Sequence, residues 1–475
     1  MVSDARLTAR EASKLIQTGE LTSVDLTSRL IEQARATEHT LHAYTCLAAD
    51  EALESAARAD AEVAGGRVRS PLHGIPFGVK DVLLTAGMPT EAGSRLLEGF
   101  VPDADAEVVR RLREAGAVLL GKLETQEFAA GQNVPNTRCA WNTSHWPGGS
   151  SAGSGVSVAV GSATFALGSD AGGSIRLPAA LNSIVGLKPT YGRVSRRGVV
   201  PAGTSTLDCV GPMTLTADDA ALVLEVIAGY DPSDPGSADA PDFRAIDPDR
   251  FGLSGARLGV ERSFFFGETL DDAVKPVAEQ ALGAFERLGA SLIDIDLPAL
   301  RLVNASSWTI FVAETAAAHR TWLLEQRSGY GAGTRRFLQM GSLLPDGVVG
   351  AARRARRRLI DEMRSIFAAH DLDALLVPTS PLPFIGLEEL DGAEIMLSAA
   401  TDVGQIAPYM FFANLTGQPA ISMPSGFTAD GDPVGIQIVG RPFDEATILS
   451  IARAYEGDTQ WYRTEPPLAS SARSL

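Results

Sequence analysis

The chain has 475 residues, with 58 acidic and 41 basic side chains and a net charge of −17 at pH 7. Its 45% hydrophobic content supplies a large core and excludes a wholly disordered chain. The acidic balance argues against nucleic acid or an anionic membrane as the main partner.

Along the chain, Thr8-Ala-Arg-Glu11 is a capping box ahead of an apolar-periodic run, and Thr22-Ser-Val-Asp25 opens a second helix through Leu30 and Ile31. An Ala-rich helix over 49–64 ends at Gly65-Gly66. Residues 1–70 therefore read as N-terminal helices packing on a core of 71–475. From Gly74 short β-like runs alternate with helices: 75–79, a helix near 105–115, then 118–120. A Gly/Ser-rich block covers 148–174, and alternation continues to about 230. Residues 230–248, rich in Asp and Pro, read as a surface loop. Later strand candidates are 257–260, 374–377 and 420–423. Length alone allows about three domains, but strands recurring between helices in the last third favour one interwoven domain. Such alternation predicts an α/β fold with helices covering a parallel or mixed sheet.

Other features exclude function classes. Cys46, Cys139 and Cys209 are an odd count without a CxxC pair, which fits a reducing cytoplasm. The N-terminus shows no apolar signal segment, and no apolar run approaches the ~20 residues of a membrane span. Six histidines form no HExxH, so no metal site is expected. The run Arg353-Arg354-Ala-Arg356-Arg357-Arg358 has apolar flanks at helical spacing and reads as a solvated helix face paired with local carboxylates.

The 27 residues from Gly148 to Ser174 include 8 glycines and 7 serines. With no Lys in the block, a P-loop fails, and GxGxxG spacing is absent. A flexible linker would not carry the apolar stretches 156–160 and 165–167. What remains is catalytic backbone: small residues in Asp170-Ala-Gly-Gly-Ser174 can converge their N–H groups on an anion. A serine nucleophile needs a base. Only His145 lies near the block, and no histidine stands in a triad motif, so Lys80 at the end of an apolar run is the alternative. Its amine would need a pKa lowered from ~10.4 to ~7–8 by desolvation.

Gly78-Val-Lys-Asp81, Pro147-Gly-Gly-Ser-Ser-Ala-Gly-Ser154, Gly168-Ser-Asp-Ala-Gly-Gly-Ser-Ile-Arg176, Gly186-Leu-Lys-Pro-Thr-Tyr-Gly192 and Asn414-Leu-Thr-Gly-Gln-Pro-Ala-Ile-Ser422 occur in this order. They resemble the amidase signature family over nearly the whole chain. The resemblance implies a single amidase-signature domain, with a large mixed twisted β-sheet sandwiched between helices and a signature region of about 74–215. It implies a Ser-cisSer-Lys triad: Lys80 as base, Ser150 as relay on a cis peptide bond, and Ser174 as nucleophile. The backbone N–H groups of Ala171, Gly172, Gly173 and Ser174 would form the oxyanion hole. Asp170 and Arg176 would pair to hold the loop; Ser151 and Ser154 read as helix caps and Lys188 as a structural cation. Cys139 and Cys209 read as core or loop residues.

Two departures from the family pattern bear on substrate. Residues 132–142 are shorter than usual, with Cys139-Ala140 in place of Asn-Pro. Amidotransferase A subunits carry an Asp several residues before the Asn of the last motif; counting back seven from Asn414 reaches Ala407, and no carboxylate lies between Gly404 and Asn414. Losing that partner for glutamine's ammonium favours a cofactor-free hydrolase branch, distinct from the A subunits, cleaving small apolar carboxamides, anilides or carbamates. The pocket residues expected are Phe128, Ala129, Trp141, Trp308, Phe311 and Tyr409, with Phe411 and Phe412 nearby. The expected partners are a small-molecule substrate and water, with neither nucleic acid nor membrane, in a cytoplasmic monomer or homodimer. The alternative is the glutaminase-type A subunit of a tRNA-dependent amidotransferase.

Overall fold

The apolar runs that alternate with helices in the sequence come together as one sheet in the computed structural model, which describes residues 6–130, 133–200, 206–244, 253–267, 269–390 and 402–471. The strands are β1 (Tyr44–Leu47), β2 (Pro76–Lys80), β3 (Val118–Leu123), β4 (Phe165–Ser169), β5 (Val185–Lys188), β6 (Val210–Thr214), β7 (Arg257–Val260), β8 (Ser291–Asp294), β9 (Ala374–Pro378), β10 (Ala420–Phe427) and β11 (Pro433–Gly440). Their order across the sheet is β1-β3-β2-β4-β6-β5-β10-β11-β9-β7-β8. Pairing is parallel for β3-β2-β4 and β9-β7-β8, and antiparallel elsewhere. The result is a single α/β domain whose mixed sheet is flanked by helices. Every residue of β2 through β6 is buried, which explains why these strands read as continuous apolar runs rather than alternating ones.

The N-terminal helices form where the capping signals place them. Thr8 caps Ala9–Thr18 reciprocally with Glu11, and Thr22 caps Ser23–Leu41. Both are tied to distant chain. Asp219 accepts from the N–H groups of Ala9 and Arg10 at 2.9 Å each, and Ser23 Oγ donates to the Gly74 carbonyl at 2.7 Å. The first seventy residues are not all helical, because Tyr44–Leu47 adds the edge strand β1 to β3. Four residues are too short for a periodicity signal; pairing with β3 decides their state.

The apolar stretch 156–160 lies within the helix Ala152–Ala159 and its C-cap, and 165–167 begins β4. Within 230–248, residues 230–244 are irregular as expected and 245–248 lie outside the described residues. The arginine run sits on the long helix Asp346–Ala369, with Arg353, Arg354, Arg357 and Arg358 exposed. Its expected pairing is corrected: among the described residues no carboxylate reaches ion-pair distance of these four. Arg356 turns inward and donates to the Leu415 and Thr206 carbonyls at 2.7 and 2.9 Å. Among the described residues no helix is long and apolar enough to cross a membrane.

Candidate active site

The C-terminal ends of β2 and β4 bring together residues that are 70 and 89 positions apart. Lys80 closes β2 with its amine fully buried. Its Nζ lies 2.7 Å from Ser150 Oγ and 2.9 Å from Ser169 Oγ, the last residue of β4. Burial pushes the Lys80 pKa down to about 7, opposed by the charges of Asp208 and then Asp170. A large fraction of the amine is therefore neutral near pH 7. The Gly149–Ser150 peptide bond is cis. Ser169 is not among the residues that the motifs assign a role, although it stands inside Gly168-Ser-Asp.

Ser174 is half-buried and faces a cleft, and it follows a backbone turn that only glycine fits. Gly173 has φ +106°, and a Cβ at Gly172 would lie 2.3 Å from the Phe411 ring. The Gly173 N–H donates to Asp170 Oδ1 at 2.7 Å, which removes it from the expected set of anion donors. Those of Ala171, Gly172 and Ser174 have no acceptor among the described residues. Nor, among these residues, does a hydrogen bond join Ser150 to Ser174, a link that commonly tightens only with substrate bound.

Asp170 anchors this turn. Its carboxylate receives Arg176 Nε and Nη2 at 3.0 Å each and Asn414 Nδ2 at 2.9 Å. Arg176 also donates to Asn414 Oδ1 at 2.7 Å and Gln437 Oε1 at 3.0 Å. Burial alone would raise the Asp170 pKa; Arg176 outweighs it and holds the carboxyl well below the usual carboxylate range. Asn414 and Gln437 thus complete a fully buried cross-link from the turn to the helix Asp402–Thr416 and to β11. Of these two, only Asn414 stands in a motif.

The serines after Ser150 act otherwise than expected. Ser151 occupies the N-cap of Ala152–Ala159 but makes no side-chain cap; its hydroxyl donates to the Ser169 carbonyl at 3.3 Å. Ser154 Oγ donates to the Leu167 carbonyl at 3.1 Å. Both hydroxyls lace the helix to β4 instead of capping it. Lys188 donates to the Pro189 carbonyl, buried beside the equally buried Cys209; Cys139 is buried as well. His145 turns away to Asp432, 3.1 Å distant.

The cleft over Ser174 is narrow, with a volume of about 60 Å³. Three of the six expected pocket residues, Ala129, Trp308 and Phe311, line it, as does Phe411. The other three do not. Phe128 is fully buried behind the wall, edge-on to His319 with centroids 4.6 Å apart. Trp141 packs on Phe427 at 4.7 Å, and the Tyr409 hydroxyl bonds Thr269 at 2.9 Å. Ala407, singled out in the sequence as a substrate-side position, lines the cleft, whereas sequence reasoning missed Gln126, Trp146 and Leu177. Trp146 could have been found from its place beside Pro147-Gly148-Gly149, whereas Leu177 needed the fold. No charged side chain among the described residues lines this cleft. Among the described residues no cluster of three or more His, Cys, Asp or Glu could hold a metal.

An α/β sheet carrying a buried Lys-Ser pair beside a glycine turn that exposes backbone donors is the architecture of an amidase, and the model of the family described as Amidase matches residues 25–449. The chain belongs to this amidase family. It is 41% identical to the A subunit of the glutamyl-tRNA(Gln) amidotransferase of Myxococcus xanthus, over 97% of this chain and 99% of that one. Among solved structures it resembles the peptide amidase of Stenotrophomonas maltophilia (TM-score 0.84, 32% identity, 98% of each chain). It also resembles the A subunit of the glutamyl-tRNA(Gln) amidotransferase of Thermotoga maritima (TM-score 0.80, 31% identity, 98% of each chain). These relatives overturn the expected separation from the A subunits. With it fall the apolar carboxamide, anilide or carbamate substrate and the partner set of one small molecule without nucleic acid. That expectation rested on Ala407, on the acidic balance of the chain and on the apolar residues of the expected pocket. One lost carboxylate is a local change in a cleft wall, whereas the similarity to the Myxococcus xanthus protein extends over nearly the full length of both chains.

Proposed function

We propose that this chain is the amide-cleaving A subunit of a glutamyl-tRNA(Gln) amidotransferase, opening the side-chain amide of glutamine at Ser174 and releasing ammonia for a tRNA-bound acceptor held by partner subunits. The observation that carries this reading is the near full-length similarity to A subunits, joined to a buried Lys80–Ser150 pair beneath the cleft. In this assignment neutral Lys80 draws a proton through Ser150 from Ser174 Oγ, which attacks the amide carbonyl. The N–H groups of Ala171, Gly172 and Ser174 receive the oxyanion. The proton returns along the same path to the leaving nitrogen, ammonia departs, and water then hydrolyses the ester to glutamate and free Ser174. The three free thiols fit a reducing, cytoplasmic setting.

The deciding experiment measures ammonia release from glutamine by the chain alone and co-expressed with candidate partner subunits, beside Ser174→Ala. Glutamine-dependent release that needs Ser174 and rises in a co-purifying complex is the expected result. A chain that leaves glutamine untouched in both preparations overturns the proposal.

A further inference from the structure

We infer that Asp208 is a positioning residue for Lys80: a buried carboxylate, placed on the Ser169 face of the β4–β6 ladder, that stabilises the ammonium formed when Lys80 takes up a proton. This rests on the reading of Lys80 as the base.

Register supplies the geometry. In the antiparallel β4–β6 ladder Ser169 lies opposite Val210, and paired residues point to the same face. The pairing continues one step further, with Asp170 N–H donating to the Cys209 carbonyl at 2.8 Å and Cys209 N–H to the Asp170 carbonyl at 3.1 Å. Asp208, two residues before Val210, therefore shares the face of Ser169, whose hydroxyl lies 2.9 Å from Lys80 Nζ. Asp208 is only 5% exposed, and its Oδ1 has no hydrogen-bond partner among the described residues. A buried carboxylate oxygen without a donor is costly unless a charge compensates it. Lys80 is the strongest charge acting on Asp208, ahead of Arg196 from the loop after β5 and of Asp170, and Asp208 is the strongest acting on Lys80. The neighbouring Cys209 thiol is pushed up by burial.

Asp170 cannot serve in its place. Its carboxylate is taken up by Arg176, Asn414 and the Gly173 N–H. The chemistry explains why a second carboxylate is useful. As an ammonium, Lys80 has three N–H donors, and Ser150 and Ser169 supply acceptors for two of them. Moving the Ser174 proton to Lys80 creates a positive charge in a dry site. An ionised Asp208 turns that charge into half of a neutral pair.

The test reads the base without depending on the natural substrate. The full-length chain is treated with phenylmethylsulfonyl fluoride across pH 5–10, and Ser174 modification is followed by intact mass for the parent and for Asp208→Asn. Removing the negative charge should move the rising limb to lower pH by about one unit, since the ammonium loses its counter-charge. The plateau rate should fall about tenfold to a hundredfold, because the base is weaker. A purely structural role would lower the melting temperature without moving the limb. A limb in Asp208→Asn that coincides with the parent overturns the proposal. Should that variant not fold, Asp208→Glu decides: it keeps the charge and should leave the limb in place, and a limb displaced by a full unit overturns the idea. No labelling of Ser174 in the parent would instead refute the assignment of the nucleophile itself.

Discussion

The floor and the wall of the cleft are built on opposite principles. Beneath the floor, Lys80, Ser169, Asp170 and Arg176 are buried polar groups with short hydrogen bonds, fixed by strand ends and by a glycine turn that tolerates no added carbon at Gly172. The wall is hydrocarbon: Trp308, Phe311 and Phe411 meet ring to ring at 5.1–5.8 Å, on two helices, with no charge among them. Buried hydrogen-bonded networks specify one geometry, because each misplaced group leaves another unsatisfied. Apolar walls tolerate exchange of shape at modest cost. The floor therefore fixes the reaction, and the wall selects what is brought to it.

The largest effects should come from the floor. Ser174→Ala and Lys80→Ala should each cut glutamine-dependent ammonia release by about 10³- to 10⁶-fold, and the double variant should be hardly worse, since residues acting as a unit are not additive. Residual activity above a tenth in Lys80→Ala would remove it as the base. In the parent, activity should rise as pH passes through about 7, because only the neutral Lys80 amine accepts a proton and burial places its pKa there. Ser150→Ala should be severe but milder, as a water can stand in for a hydroxyl; a single-turnover assay would measure the difference.

Next in size is the cross-link under the turn. Arg176→Met strands Asp170 in the core and should cost about 3–5 kcal/mol of stability, read by denaturant melts. The depressed pKa of Asp170 stabilises the fold above the unfolded value of ~3.9 and loses that contribution as pH falls through the folded value. Asp170→Asn should therefore flatten the acid side of the stability curve while lowering stability at neutral pH.

A second buried lysine sharpens the contrast within the floor. Lys122, on the adjacent β3, lies 3.5 Å from Asp81 and donates to Thr85 and Thr90 at 3.0 and 2.9 Å, as well as to the Leu83 carbonyl. Burial lowers its pKa to about 8 and raises that of Asp81 to about 6. Its partners occupy it away from the cleft, so Lys122→Met should lower the melting temperature yet keep activity within about tenfold of the parent. A collapse like that of Lys80→Ala, in a folded variant, would mean the wrong lysine has been given the chemistry. The smallest effect belongs to the wall. Ala407→Asp returns a carboxylate to the cleft and should lower the KM for glutamine by several-fold, about the 1 kcal/mol of a partly exposed charge pair; an unchanged KM would place the ammonium elsewhere.

Local chemistry in the sequence was enough for the caps at Thr8 and Thr22, for the strand runs beginning near 75, 118, 257, 374 and 420, and for the α/β class, because side-chain capping and apolar burial act over a few residues. The motifs also named Lys80, Ser150, Ser174, Asp170 and Arg176, each in a stretch whose glycines and small residues serve close backbone approach. What depended on residues far apart in the chain was decided only in three dimensions. Edge strand β1 exists because β3 offers it a partner; Ser169 meets Lys80 because β4 lies beside β2; Asp170 takes the Gly173 N–H out of the anion-binding set. Phe128 and Tyr409 lie behind the wall while Gln126, Trp146 and Leu177 line it. An aromatic or aliphatic side chain carries the same apolar signal whether it lines a cleft or fills the core behind it, and only the packing of β4, the glycine turn and the helices over them determines which side it faces.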